Sequence, residues 1–198
     1  MTSTPEVGVV IDRVVAAVAD LAGLLAVSLG GSTQSDLFDD ESDIDLHVYW
    51  QPPLADDSIR AERLAQVADA GCVVAGVTCW GLEDHLRIGG RAIELIYVEL
   101  DELQAQIDQA YGPGLNGEGY TTAMLYVLAE GHIVHDPSGV ATAPRARLWA
   151  EFPAPTRRLL LQHNPDLLRI YFKHLQLAQR RGDLLSVQHR RYTVQMVY

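Results

Sequence analysis

Two aspartates separated by one residue, Asp43 and Asp45, are the side chains of this sequence most suited to chemistry. They open the stretch DIDLHVYW (43–50), in which every second residue is apolar. A period of two predicts a β-strand with one buried face, and it places both carboxylates on the opposite face, roughly 7 Å apart at their Cα atoms. Paired carboxylates suit Mg²⁺, which takes one or two of them and completes its shell with water and phosphate oxygens.

A third carboxylate is expected from a neighbouring strand, and Glu94 is the candidate. It lies in AIELIYVEL (92–100), which predicts a strand, and apolar residues flank it on both sides. An unpaired charge in such a run is costly, so the proximity of a metal would account for it. A carboxylate at this place could also act as the base for an attacking hydroxyl. His47, on the polar face of the same strand as Asp43 and Asp45, is interpreted as a surface histidine, with contact to the site as the alternative.

A glycine-rich turn precedes the aspartate pair. The apolar run LLAVSL (24–29) predicts a buried strand, and Gly30, Gly31 and Ser32 follow it. Two glycines allow the backbone to approach a ligand closely and to expose its N–H groups. Ser32 adds a hydroxyl, and a helix beginning there would favour a phosphate at its N-terminus. These three residues are therefore predicted to bind a ligand that carries phosphate.

The surrounding elements predict an α/β (α+β) fold built on a small mixed sheet. Helical spacing covers 9–22, 56–70 and 102–110, and 72–80 is a further strand candidate. We expect a core domain over 1–112 and a C-terminal helical domain over 113–198. Past residue 140 the pattern is helical, with breaks at Pro144, at 153–155 and at Pro165. The last helix reaches Tyr198 without a stop signal, so the C-terminal domain is expected to be incomplete.

Charge is distributed unevenly along the chain, whose formal net charge is −11. Residues 1–144 hold five Lys/Arg against 23 Asp/Glu, whereas residues 145–198 hold ten against three. An acidic body is a poor match for the long phosphate backbone of a nucleic acid, so a nucleic-acid partner is not expected. It suits metal ions or a cationic small molecule. The basic C-terminal part could face a triphosphate, or its arginines could decorate solvated helix faces.

No leader or membrane anchor is predicted. No apolar run reaches the length that a membrane span needs. The N-terminus, MTSTPEV, lacks the basic and apolar regions of a signal peptide. A cytoplasmic location without a membrane partner is therefore the expectation, and oligomeric state is left open.

With the motif Gly31-Ser32, a spacer of about ten residues and Ser42-Asp43-Ile44-Asp45-Leu46, followed by Glu94, the sequence resembles the DNA polymerase β-like nucleotidyltransferases. It is most similar to the small bacterial branch that includes the aminoglycoside and lincosamide nucleotidyltransferases. The resemblance covers about residues 7–110. It implies a transferase in which Gly31 and Ser32 hold the phosphates of an NTP, with ATP the first candidate.

The same resemblance implies that Asp43, Asp45 and Glu94 bind two Mg²⁺ ions. A hydroxyl of a small molecule would attack the α-phosphorus and pyrophosphate would leave. The acidic body favours a cationic acceptor such as an aminoglycoside. Two alternatives stay open: an acceptor that is a protein or tRNA, as in toxin–antitoxin nucleotidyltransferases, and a non-catalytic nucleotide-binding module. The spacer holds no Lys or Arg, so Arg87, Arg91 or the C-terminal helices are the candidate cations for the triphosphate.

Overall fold

The computed structural model describes residues 5–34, 36, 38–39, 42–78, 81–112, 122–150 and 152–197. These residues form two compact units. The first contains the described residues within 1–107 and 122–150, and the second contains those within 108–121 and 151–198. The boundary predicted after residue 112 stays a prediction, because residues 113–121 lie outside the described residues.

A six-stranded mixed sheet forms the centre of the first unit. Its strands are β1 (Leu24–Leu29), β2 (Ile44–Trp50), β3 (Val73–Thr78), β4 (Gly81–Ile88), β5 (Arg91–Glu99) and β6 (His132–His135). They lie in the order β3-β4-β5-β2-β1-β6. The β2–β5 pair is parallel and the other four pairs are antiparallel. The predicted mixed α/β architecture is therefore confirmed.

Seven α-helices accompany the sheet in the described residues. They are α1 (Pro5–Val18), α2 (Asp57–Ala65), α3 (Leu100–Tyr111), α4 (Ala123–Glu130), α5 (Thr142–Trp149), α6 (Ala154–Arg180) and α7 (Leu184–Val197). The helical character of the C-terminal part is confirmed. Among these helices, none combines the length and the apolar composition that crossing a bilayer requires.

The predicted break at Pro165 is wrong, because α6 continues through it. A proline inside a helix removes one N–H donor and disturbs the carbonyl four residues earlier, which here belongs to Leu161. Both residues lie on the exposed side of α6, where water can hydrogen-bond that carbonyl. The cost of the proline is therefore small enough for the helix to continue.

The main core lies on one face of the sheet. The alternation of β2 sends Ile44, Leu46 and Val48 to this face, where all three are fully or almost fully buried. They pack with the apolar side of α1, including Val14 and Val18. Burying each such side chain stabilises the fold by about 1.5–3 kcal/mol. Asp45 and His47 alternate with these residues and therefore point to the opposite face of β2.

Strand β4 was not predicted from the sequence. Its residues GLEDHLRI send Leu86 and Ile88 to the core face, but Asp84 occupies the core-facing position before them. A charged residue at that position hides the period-two pattern that marks a strand. The strand forms nevertheless, because Asp84 has a buried cationic partner.

That partner is Arg60 of α2, which is 2% exposed beside an aspartate that is 0% exposed. Its Nε and Nη2 donate to the two carboxylate oxygens of Asp84 at 2.8 and 3.0 Å. Its Nη1 donates to the carbonyl of Ala55, and the hydroxyl of Tyr97 donates to Asp84 at 2.7 Å. The network connects α2 to β4 and β5, with its polar groups hydrogen-bonded.

We predict that Arg60→Met destabilises the protein by about 3–5 kcal/mol, because the change leaves the Asp84 carboxylate buried without its cation. The matched control is Arg63→Met, one turn further along α2, where the arginine forms a half-exposed pair with Asp20. Loss of that pair costs less than about 1 kcal/mol. Urea unfolding of both variants measures the difference, and equal midpoints would contradict the prediction.

Candidate metal and nucleotide site

Three carboxylates predicted to share a site lie together in the structure. Asp45 of β2 is the register partner of Glu94 on the parallel strand β5. Asp43 lies just ahead of β2, two residues before Asp45. One carboxylate oxygen from each of the three lies within 4.8 Å of the others, and all three side chains are half-buried. The chain thus brings its predicted ligands together, whereas their roles stay a prediction.

The electrostatics of this cluster favour a bound cation. Burial, together with the negative charges of Asp43 and Glu94, raises the pKa of Asp45 to about 6. A carboxylate with a raised pKa is one whose negative charge is poorly compensated by the protein. Oxygen donors with excess negative charge fit Mg²⁺, a hard cation that prefers carboxylates. The donor set therefore suits the metal that the sequence predicts.

The glycine turn lies directly against Asp45. The N–H of Gly30 donates to the backbone carbonyl of Asp45 at 2.9 Å. Gly31 has a φ of +63°, and a Cβ at this residue would lie 1.6 Å from Oδ2 of Asp45. Glycine is therefore required twice, by the left-handed backbone and by the carboxylate. Gly31 also starts a single 3₁₀ turn, Gly31–Gln34, which contains the half-buried Ser32.

His47 lies beneath this turn, and its interpretation as a surface histidine is wrong. The side chain is 4% exposed. A Cβ at Gly30 would lie 3.0 Å from the ring and 3.1 Å from Val127 of α4, so the turn and α4 cover this face of β2. Burial lowers the pKa of His47 to about 4, so the ring is neutral at physiological pH. It fills the space under the glycine turn.

Arg91 fixes the segment that leads into the aspartate pair. Its Nη1 donates to the carbonyls of Ser42 at 2.7 Å and Asp39 at 3.1 Å. Its guanidinium also lies 5.0 Å from the centre of the Phe38 ring. Arg87 donates to the carbonyl of Gly90 in the β4–β5 turn. A contribution of either arginine to binding a triphosphate stays a prediction.

Two residues of β4 join the site without having been predicted, Glu83 and His85. The imidazole of His85 lies between two carboxylates, 3.4 Å from Oε1 of Glu94 and 3.2 Å from Oε2 of Glu83. Recognising β4 as a strand would have identified them, because alternation sends both side chains to the face that holds Glu94. On this side of Glu94 lies a groove of about 320 Å³. Its lining includes Cys72, Val74, His85, Arg87, Ala92 and Glu94.

We predict that Gly31→Ala abolishes metal-dependent nucleotide binding, because the new methyl group collides with the Asp45 carboxylate. The matched control is Gly89→Ala, at a φ of +59° with no atom within 4 Å of the added methyl group. That variant carries only the strain of the left-handed backbone, about 1–2 kcal/mol. Calorimetric titration with Mg²⁺ and nucleotide separates the two, and retained binding in Gly31→Ala would contradict the prediction.

We predict that Asp45→Asn stabilises the metal-free protein at neutral pH. The pKa of Asp45 is raised from 3.8 to about 6, so the folded state holds the proton more tightly than the unfolded state. Stability therefore falls as pH rises through this interval and stays lower above it. The loss of unfolding free energy is about 1.4 kcal/mol for each unit by which the folded pKa exceeds the unfolded pKa, and solvent screening reduces it.

Thermal unfolding across pH measures this effect. The gain of the variant over the wild type should build up as pH rises from 3.8 to about 6 and should be complete above that interval. The control is Asp36→Asn, which removes an exposed acid from the spacer and should give no comparable gain. If the variant is no more stable than the wild type at neutral pH, the ionised Asp45 carboxylate does not destabilise the fold and the prediction is wrong.

No protein-family model and no curated protein sequence matches this chain. Among solved structures, it is similar to a nucleotidyltransferase-like protein from Exiguobacterium sibiricum 255-15, with 14% identity and a TM-score of 0.46. The match covers 96% of this chain, which spans 55% of that protein's length. It is also similar to a spectinomycin adenyltransferase from Enterococcus faecialis solved with ATP and spectinomycin, with 15% identity and a TM-score of 0.38, over 85% of this chain and 69% of the other. Because the identities and TM-scores are low, no property of either protein is transferred to this chain.

Proposed function

We propose that this chain is a metal-dependent nucleotidyltransferase, which moves a nucleoside monophosphate from an NTP to a hydroxyl of a small molecule. The observation that carries the proposal is the contact between the Gly31 backbone and the Asp45 carboxylate, within a cluster that also contains Asp43 and Glu94. A turn suited to phosphate lies directly beside carboxylates suited to Mg²⁺. Transfer of a phosphoryl group needs these two components side by side.

Each residue of the site would have a separate role in the reaction. Asp43, Asp45 and Glu94 would hold two Mg²⁺ ions, whose bound charge would neutralise the phosphates as negative charge shifts to the leaving group. The backbone at Gly31 and Ser32 would hold the β- and γ-phosphates, since glycine leaves the N–H groups accessible. The buried ring of His47 lies between the glycine turn and strand β2 and supports the turn. Catalysis would then come mainly from positioning and from electrostatic stabilisation.

In the proposed transfer, one bond to the α-phosphorus forms and one breaks. The acceptor hydroxyl oxygen forms a bond to the α-phosphorus, and the bond from that phosphorus to the bridging oxygen of the β-phosphate breaks. Pyrophosphate leaves with the electron pair of that bond. The hydroxyl proton passes to a carboxylate oxygen of Glu94, which borders the groove and is half-exposed. The products are the acceptor nucleoside monophosphate ester and pyrophosphate.

The acceptor is proposed to be a cationic small molecule and the nucleotide ATP. Residues 1–144 hold 18 more acidic than basic side chains, and this charge raises the local concentration of cations. The groove beside Glu94, at about 320 Å³, has the size of a small-molecule site. It opens next to the carboxylate that would receive the proton. A cytoplasmic location remains part of the proposal.

We predict that one NTP binds only with Mg²⁺, and that Asp43→Asn/Asp45→Asn loses this binding. The double variant removes two negative charges from the cluster that the metal would neutralise, so the triphosphate would have no cation beside it. Calorimetry with ATP, GTP, CTP and UTP, each with and without Mg²⁺, measures it. The matched control is Asp36→Asn, an exposed acid of the same spacer, which should bind as the wild type does. If no nucleotide binds the wild type, the proposed function is wrong.

The acceptor is tested separately by pyrophosphate release from a panel of cationic, neutral and anionic hydroxyl compounds. Release that depends on a cationic compound supports the proposal in full. Labelling of a co-purified protein or tRNA by α-³²P-NTP, with no release from the panel, would replace the small-molecule acceptor by a macromolecule. Nucleotide binding with neither outcome would favour the non-catalytic binding module.

A further inference from the structure

We propose that His85 is a positioning residue that orients the Glu94 carboxylate for metal binding, and that Glu83 and Thr78 hold its ring in place from behind. The inference rests on the proposed function, because it concerns a metal ligand of that site. It adds a strand, β4, whose part in the site no sequence motif indicates. It also assigns a task to Glu83, a buried acid for which the proposed reaction has no direct use.

The sheet itself places His85 beside the carboxylates. Asp45 is the register partner of Glu94, and Glu94 is in turn the register partner of His85 on the other side. Register partners point to the same face of a sheet, with Cβ atoms about 4.5–5.5 Å apart. The three side chains therefore form one row across β2, β5 and β4. The row is a property of the backbone pairing rather than of a single rotamer.

A chain of polar contacts then holds the ring. The hydroxyl of Thr78 donates to Oε2 of Glu83 at 2.8 Å, and Nε2 of His85 lies 3.2 Å from the same oxygen. Nδ1 of His85 faces Oε1 of Glu94 at 3.4 Å. Glu83 is 7% exposed, so its carboxylate needs such polar partners. The contact of Nε2 with this oxygen thus fixes the orientation of the ring, whose Nδ1 edge is turned toward Glu94.

The consequence is a preorganised ligand. A glutamate has three rotatable side-chain bonds, and its ordering on binding has an entropic cost. Glu94 is 34% exposed, so burial alone does not hold it. Contact with the anchored ring restricts Oε1 of Glu94, and one oxygen of the same carboxylate lies within 4.8 Å of carboxylate oxygens of Asp43 and Asp45. His85 would therefore increase metal affinity without touching the metal.

The experiment measures Mn²⁺ binding to the full chain by calorimetry and by the electron spin resonance signal of free Mn²⁺. Mn²⁺ serves as the probe because carboxylate sites accept it as they accept Mg²⁺. We expect His85→Ala to weaken the affinity about 10–100-fold, the usual loss for a partner of a metal ligand. His85→Gln, which keeps an amide donor, should recover part of the loss. The matched control is His135→Ala on the edge strand β6, in register with Val27 and remote from Glu94, and it should bind as the wild type does.

Wild-type Mn²⁺ affinity in a folded His85→Ala variant would overturn the inference and leave the proposed function intact. A wild-type protein that binds no divalent ion would overturn both. If His85→Ala does not fold, as judged by circular dichroism, His85→Leu takes its place, because leucine restores the volume without a donor. Equal affinity in that variant and the wild type would again reject the positioning role. Loss of metal-free thermal stability with unchanged Mn²⁺ affinity would show a structural role alone.

Discussion

The parallel pairing of β2 with β5 is the constraint on which the rest of the site depends. It sets two acids, Asp45 and Glu94, directly opposite each other, an arrangement that is unfavourable for like charges. The repulsion is tolerated because the other face of the same two strands buries Ile44, Leu46 and Leu95 in the core. A slip of one residue in either strand would turn these apolar side chains away from the core. Apolar burial thus holds together a cluster that would otherwise disperse.

Much of this site was predictable because its signals are local. The period-two pattern of β2 places Asp43 and Asp45 on one face, and a charge inside an apolar run marks Glu94. The structure brings all three together, whereas their roles as ligands stay predictions. The features that were not predicted depend on residues that are distant in the sequence. Strand β4 was missed because Asp84 interrupts its alternation, and the cation that justifies Asp84 lies 24 residues earlier in α2.

The burial of His47 was not predicted from the sequence for a related reason. Its face of β2 is polar at Asp45, so a polar environment for the histidine was the natural extrapolation. The cover comes from elements distant in sequence, because α4 and the glycine turn close over the ring. The arginines show the same limit. Arg91 was considered for phosphate, but it binds the carbonyls of Asp39 in the spacer and of Ser42 just after it, and only the folded chain brings them within reach.

Side chains on both faces of β4 fix its register with the neighbouring strands. Asp84 points to Arg60, whereas its neighbours Glu83 and His85 point to the opposite face, where His85 lies against Glu94. A slip of one residue would drive an imidazole and a second carboxylate into the apolar core and would leave a buried guanidinium without its counter-charge. Insertions or deletions within β4 should therefore be tolerated far less well than changes of length in the turns on either side of it.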